Sequence, residues 1–348
     1  MFPAMKILLT GAAGFIGSHL AERLCARGDQ VVGFDNFDPF YARELKERNI
    51  QVVRKKNGFS LIEGDLTSVG DLQRAFTAVG SVDLVVHLAA LAGVRPSIAN
   101  PVRYSEVNVT GTLNLFEQCR KSGVKKIVLA SSSSVYGLHS EVPFKESDKC
   151  GYPVSPYAAT KRAGELAAFA EHHLHGTDLT CLRFFTVYGP RQRPDLAIAT
   201  FTRAIAFGKP IELYGDGSTS RDYTWIDDII DGVVAAIDQL ARHQSAPRYR
   251  IYNLGGSETT TLKAMVDRIS DALGQKPVVS WKPEQIGDMK HTFADLTLSR
   301  AELGYAPKVD FAHGIARYVR WWVDENKDKL KQRGVRLKTM AYAAKTDD

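Results

Sequence analysis

The chain has 348 residues, of which 44% are hydrophobic and 24% charged. That is the composition of a soluble globular protein with one large or two modest domains, and no apolar run reaches the roughly 20 residues of a membrane span. The formal net charge of +6 suits an anionic small molecule as well as nucleic acid and decides for neither.

The first ten residues lack the basic region, apolar core and cleavage site of a secretory leader, so a cytoplasmic protein is expected. Strands are predicted at Lys6–Thr10, Gln30–Asp35 and residues 60–63, 84–88, 126–130 and 179–185. These runs are almost continuously apolar, as parallel strands buried on both faces are. Helices are predicted over Phe15–Arg27, with Ile16, Leu20 and Leu24 on one face and Gly28 as its C-cap, and over residues 101–122 and 157–175. This alternation predicts an α/β fold, a doubly wound Rossmann-type parallel sheet. After Phe185 turn residues crowd Gly189-Pro190, Arg193-Pro194, Gly208-Lys209-Pro210 and Gly215-Asp216-Gly217, which marks a smaller C-terminal lobe with binding loops. A helix over residues 227–240 and a strand at Tyr249–Leu254 are expected to return to the main sheet.

The expected division is therefore 1–185 with 226–254 as one domain, and 186–225 with 255–325 as the second lobe. Residues 326–348 carry Lys327, Lys329, Lys331, Arg333, Arg336 and Lys338 and read as a solvated, partly disordered tail. Nucleic-acid binding needs a basic face with interleaved aromatics, and only this tail is basic, so no nucleic-acid partner is expected. Cys25, Cys119, Cys150 and Cys181 form no C-x-x-C pair and no zinc-spaced cluster. They read as thiols in a reducing compartment, and no metal is expected.

Strand Lys6–Thr10 runs into Gly11-Ala12-Ala13-Gly14-Phe15-Ile16-Gly17 and then a helix. Glycines are needed where backbone approaches a pyrophosphate and where the helix packs on the strand, and the helix N-terminus faces the phosphate charge. Asp35 ends the second strand about 20 residues on, as the dinucleotide fingerprint requires. A carboxylate there accepts from both adenine-ribose hydroxyls and repels a 2′-phosphate. Asn36 beside it is no substitute for an arginine. NAD is favoured over NADP. The competing reading is a strand-terminal Asp capping the next turn.

Tyr157-Ala158-Ala159-Thr160-Lys161 places Tyr157 and Lys161 at i, i+4 on one helix face. A nearby ammonium favours ionisation of the phenol, whose ordinary pKa is about 10. Alone the spacing is common on helix surfaces. Here it follows a glycine motif and a hydroxyl run, Ser131-Ser132-Ser133-Ser134, placed after a strand.

The glycine loop, Leu88-Ala89-Ala90, the serine run with Val135-Tyr136-Gly137, Tyr157 with Lys161, the stretch from Arg183 to Pro190, and Arg221-Asp222-Tyr223 together resemble the extended short-chain dehydrogenases/reductases acting on nucleotide sugars. The resemblance runs from about Lys6 to about Trp322 and is specific as a set. It implies Ser132 as catalytic serine, Tyr157 as base and Lys161 as its tuner and ribose ligand, with Asp65-Leu66 at the adenine. Phe15, Ile16, Leu88, Ala89 and Ala90 join the NAD contacts. Dehydratases of this type carry Asp-Glu before Val-Tyr-Gly, and xylose-forming decarboxylases a Glu where Ser134 stands. Ser133 and Ser134 replace both, which leaves reversible hydride transfer and hence C4 epimerisation of a UDP-hexose.

Within the resemblance, Arg221 matches the diphosphate arginine, Tyr214 the aromatic near uracil and Asp288 a ribose contact, while Thr186 stands where glucose/galactose epimerases have Asn. Gly93-Val94-Arg95 and the stretch from Tyr188 to Asp195 look most like UDP-glucuronate 4-epimerases. Arg193 then binds a C6 carboxylate with help from Thr186 and Ser134, or is an exposed loop arginine. Two other readings stay open: a UDP-glucose or UDP-N-acetylglucosamine 4-epimerase, and a non-catalytic NAD-sensing protein, against which the retained Ser/Tyr/Lys set weighs. The resemblance also implies a homodimer, pairing the helices of residues 101–122 and 157–175. Val107, Leu113 and Leu115 suit that interface or packing within one subunit.

Overall fold

The structure is a computed structural model that describes residues 4–283 and 289–335. In chain order its elements are β1 (Lys6–Thr10), α1 (Phe15–Arg27), β2 (Gln30–Asp35), α2 (Arg43–Ile50), β3 (Phe59–Glu63), α3 (Val69–Val79), β4 (Leu84–His87), α4 (Val94–Ala99), α5 (Pro101–Ser105) and α6 (Gly111–Lys121). There follow β5 (Lys126–Ser132), α7 (Pro156–His175), β6 (Asp178–Phe184), β7 (Thr186–Tyr188), α8 (Ala197–Ala206), β8 (Pro210–Tyr214), β9 (Ser220–Trp225) and α9 (Ile226–Arg242). The last are β10 (Tyr249–Leu254), β11 (Thr259–Thr261), α10 (Leu262–Leu273), β12 (Val278–Lys282), α11 (Thr297–Leu303) and α12 (Phe311–Gln332). The chain divides into two compact units, one of residues 1–185, 227–254 and 294–306, the other of 186–226, 255–293 and 307 onward.

The first unit is built on a seven-stranded parallel sheet in the order β10-β6-β5-β4-β1-β2-β3. Every residue of β4 and β6 is buried, which is why their sequences do not alternate. Leu8, Val32, Val85, Ile127 and Leu179 from five neighbouring strands meet Leu72, Phe76, Leu115 and Phe116 from α3 and α6 in one core. The order reverses between β1 and β4, and there the C-terminal strand ends open the crevice in which doubly wound sheets hold ligands. Gly28 closes α1 in the left-handed conformation, φ +102°. Residues 294–306, read from sequence as part of the second lobe, pack on this unit. Asp295 N donates to Phe144 O, and Tyr252 of β10 donates its hydroxyl to Glu302.

The single helix expected over residues 101–122 is broken. Between α5 and α6 lies a π turn, Glu106–Thr110, closed by Gly111 N on Glu106 O. The cause is Asn108, whose side chain is drawn inward to satisfy the backbone of Leu91 at both ends (2.8 and 2.9 Å).

The second unit holds a three-stranded sheet, β11-β9-β7, and a parallel pair, β12 with β8. Helices α8, α10 and α12 pack beside them, with Met265, Val266, Ile269 and Leu273 of α10 buried. In α12, Phe311, Ile315, Tyr318, Val319 and Trp322 bury one face, and Asp310 caps the start by accepting from His313 N. Residues 326–332, expected in the solvated tail, are the last turns of this helix. Leu330 is buried while the lysines around it face water, so the basic run is the wet side of an amphipathic helix. Arg336 and Lys338 lie outside the described residues.

Candidate active site

Glycine geometry shapes the entrance to α1. Gly11 has φ +72°, and a Cβ there would stand 2.7 Å from Ala89 N. A Cβ on Gly17 would collide with Gly11 O. Gly14 N donates to Gly11 O, and Gly14 caps α1 with no side chain over the first turn. The N–H groups of Phe15, Ile16 and Gly17 are thereby left for an anion.

Asp35 is buried at the end of β2 and takes Ala13 N and Phe37 N on its two oxygens, each at 2.9 Å. Burial raises its pKa, against the pull of those N–H groups and of Lys46. Each oxygen keeps a further lone pair. Asn36 donates to Asp65 at 2.7 Å, and Thr67 donates to Asp65 through both N and Oγ1. Burial alone would raise Asp65, but these bonds and the charge of Arg103 outweigh it and hold the carboxylate below its usual range. Leu66 O accepts from Asn114, Leu88 N donates to Thr10 O, and Ala89 N donates to Thr10 Oγ1. Ala90 follows, half-buried. The structure thus gathers Gly11, Gly14, Gly17, Asp35, Asn36, Asp65, Leu66, Leu88, Ala89 and Ala90 just past β1, β2, β3 and β4.

Ser132 is the last residue of β5, not a loop residue. Its Oγ accepts from Ser134 N and donates to Ser134 Oγ, both at 3.2 Å. Ser155 caps α7 by accepting from Ala158 N, which places Tyr157 in the first turn and Lys161 one turn on. Lys161 Nζ donates to Ala130 O at 2.8 Å, two residues before Ser132 on the same strand. Desolvation pushes the Lys161 pKa down to about 8, with Cys181 and Glu165 acting the other way. The Tyr157 ring packs on Leu91, Tyr104 and Val107, edge-on to Tyr104. Arg95 is exposed on α4, and Ser134 is half-buried.

In the second unit Thr186 opens β7 and pairs with Tyr223 of β9, two residues from Arg221. Arg221 donates to the carbonyls of Ser220 and Lys290. Tyr214 ends β8 and donates its hydroxyl to Glu212. Arg193 lies between β7 and α8 and forks onto Asp195, Nε to Oδ1 at 3.0 Å and Nη2 to Oδ2 at 2.8 Å. Thr186 and Arg221 share one sheet; Tyr214 belongs to the other. Asp288 lies outside the described residues.

Comparison with known proteins decides the family. The family described as "NAD dependent epimerase/dehydratase family" matches residues 7–255. The chain belongs to it. A probable UDP-glucuronate 4-epimerase of Rhizobium meliloti is 40% identical over 338 residues, covering 92% of this chain and 98% of its own. A UDP-glucuronic acid 4-epimerase from Bacillus cereus, solved with UDP-glucuronic acid and NAD, superposes with a TM-score of 0.85 at 34% identity, covering 92% of this chain and 100% of that one. A dTDP-glucose 4,6-dehydratase from Streptomyces venezuelae superposes with a TM-score of 0.84 at 32% identity, covering 93% and 98%. Backbone likeness alone therefore does not choose a reaction within the epimerase/dehydratase family.

The family's NAD fits the residues present. The glycine cradle leaves no room for a Cβ, the first turn of α1 is uncapped, and the Asp35 carboxylate at the end of β2 keeps lone pairs for hydroxyl donors.

Two supporting residues escaped the sequence reading. Glu165, one further turn along the Tyr157/Lys161 face, is buried and accepts from Ser131 Oγ (2.6 Å), Arg162 Nη1 (2.8 Å) and Arg183 Nε and Nη2 (2.8 and 2.9 Å). Burial alone would raise its pKa; these bonds and the Arg183 charge hold it low. Asn108 also donates to Thr160 Oγ1, which donates to Tyr157 O. The available signals were a carboxylate at i+4 from Lys161 and an amide inside a helical apolar pattern.

Proposed function

We propose that this chain is a UDP-glucuronate 4-epimerase, interconverting UDP-glucuronate and UDP-galacturonate. The observation that carries the reading is a Ser132/Tyr157/Lys161 set on a serine turn that holds no carboxylate. Ser133 and Ser134 stand where elimination needs an additional acid and base. In support, Tyr157 takes the proton of the sugar C4 hydroxyl while Ser132 hydrogen-bonds the same oxygen. Lys161, charged below about pH 8, stabilises the phenolate. Bound NAD supplies a reversible hydride acceptor for C4. The 4-keto sugar then turns about its diphosphate linkage to present its other face, the hydride would return to C4 on that face, and Tyr157 gives the proton back to the C4 oxygen.

The first unit holds the dinucleotide through the glycine loop, Asp35, Asn36, Asp65, Leu66, Leu88, Ala89, Ala90 and Lys161. The second receives the UDP-sugar through Thr186, Tyr214 and Arg221. A 4-keto uronate is a β-keto acid and loses CO2 readily. Arg193, with Thr186, holds the C6 carboxylate so that the C5–C6 bond stays out of line with the carbonyl π system. The fork that Arg193 already makes to Asp195 has the bidentate geometry such a carboxylate needs. It also favours a second reading, a neutral C6 substituent, because that fork is engaged from within. Purified protein given UDP-glucuronate, UDP-glucose and UDP-N-acetylglucosamine without added NAD, with products read by NMR, separates the two. Conversion of UDP-glucose alone sinks the uronate reading. In Arg193→Ala, turnover of UDP-glucuronate falls about tenfold more than that of UDP-glucose; equal losses remove the carboxylate role.

The assembly is a homodimer. Val102 and Leu113 on α5–α6, and Leu166, Phe169 and Leu174 on α7, are exposed apolar side chains. Val107 and Leu115 are buried within the subunit and leave Leu113 for the interface. Light scattering on Phe169→Asp should report a monomer. Four free thiols support a reducing, cytoplasmic compartment.

A further inference from the structure

His87 ends β4, is buried, and takes no part in the reaction above. Its ring lies between two threonines, with Thr10 Oγ1 at 2.7 Å from Nδ1 and Thr112 Oγ1 at 3.0 Å from Nε2. Each threonine also holds a backbone group. Ala89 N donates to Thr10 Oγ1 at 3.2 Å, and Thr112 Oγ1 donates to Asn108 O at 2.7 Å.

Elimination fixes the direction of every proton. A hydroxyl has one hydrogen. Thr112 commits its own to a carbonyl, which can only accept, so His87 Nε2 must donate to Thr112. The neutral ring then has a bare Nδ1, which accepts from Thr10. That leaves the Thr10 oxygen a lone pair for Ala89 N–H. An imidazolium would aim a second N–H at Thr10 and strand its hydroxyl hydrogen inside the core.

We infer that His87 is a positioning residue, which as the neutral Nε2–H tautomer couples the dinucleotide loop to the π turn beneath Tyr157. At one end Thr10 leads into Gly11, and Ala89 N is the atom against which Gly11 is packed. At the other, Asn108 holds Leu91 and Thr160, and Thr160 holds the Tyr157 carbonyl. The inference rests on reading these ends as two sides of one reaction site. Burial first, and the charge of Lys161 second, push the ring's pKa down to about 3. The chain of bonds therefore keeps its direction while Lys161 titrates.

The test uses the full NAD-loaded protein. Nitrogen-15 NMR of histidine-labelled protein identifies the His87 ring as the signal missing from His87→Gln. A neutral Nε2–H ring that does not titrate between about pH 5 and pH 8 is expected. A ring that titrates near about 6.5, or carries its proton on Nδ1, overturns the assignment. This arm reads no activity, so a wrong substrate leaves it intact. Thr112→Val keeps the side-chain outline and removes one link. Its kcat should fall about tenfold, or roughly 1.4 kcal/mol, with KM held within about twofold. His87→Gln, whose amide can donate to Thr112, should recover more rate than His87→Leu. Folded Thr112→Val protein with the parent kcat, or a loss confined to KM, removes the positioning role.

Discussion

The two units hold their functional side chains in different ways. In the first, the candidate catalytic residues Lys161 and Tyr157 are fixed from far along the chain. Lys161 is tied to β5, Ser132 stands beside Ser131 and its bond to Glu165, and Tyr157 packs on segments after β4. In the second, candidate substrate residues lean on near neighbours. Arg193 holds Asp195 and Tyr214 holds Glu212, while Arg221 holds the carbonyl of Ser220 and also that of Lys290, 69 positions on. Lys161 and Tyr157 are thus held by longer-range contacts, whereas Arg193 and Tyr214 have exposed local partners that are exchanged at small cost.

Substitutions can break that contrast. Tyr157→Phe should lower kcat by roughly 100- to 10,000-fold, the range of general acid–base groups, while NAD content, read by absorbance, is unchanged. Glu165→Ala leaves Arg183 charged and buried without its carboxylate, so thermal unfolding should show a loss of about 3–5 kcal/mol. For Lys161 the sign is set by burial, which favours the neutral amine. The ammonium is present below about pH 8, and the phenolate loses its support above it. Turnover should fall as pH rises through about 8, roughly tenfold per unit. In Lys161→Arg, whose guanidinium stays charged, that alkaline limb should vanish; a limb that persists belongs to another group. At the small end, Tyr214→Phe gives up an exposed bond to Glu212 and should change stability by less than about 0.5 kcal/mol. A larger loss would mean the second unit is as tightly preorganised as the first.

Legibility in the sequence follows the same line. β1, α1, β2 and β10 stand at the bounds read from apolar runs and glycine stops, because parallel strands and their helix caps are local signals. Strand β5 runs two residues past the expected end at Ala130, since two serines can end a strand when their partners are Glu165 and Ser134. The π turn was invisible, because residues 101–122 keep helical periodicity through it and the cause lies at Leu91. The last turns of α12 were missed because lysines on a wet face mask a single buried Leu330. Glu165 escaped because its arginine partner, Arg183, is 18 positions away.

The π turn carries a further consequence for anyone altering this chain. An ordinary α-helix advances about 100° per residue. Dropping Asn108 would restore the ordinary repeat, and because the π turn already absorbs one extra residue, Tyr104 and Thr112 would keep nearly the same relative faces. Tyr104 would stay on the Tyr157 ring, whereas Leu91 would lose the side chain that satisfies its backbone. A one-codon deletion here would therefore be mild for the helix register, and its effect would be felt at Leu91. In this stretch the identity of residue 108, more than the count of residues, is what an engineer has to preserve.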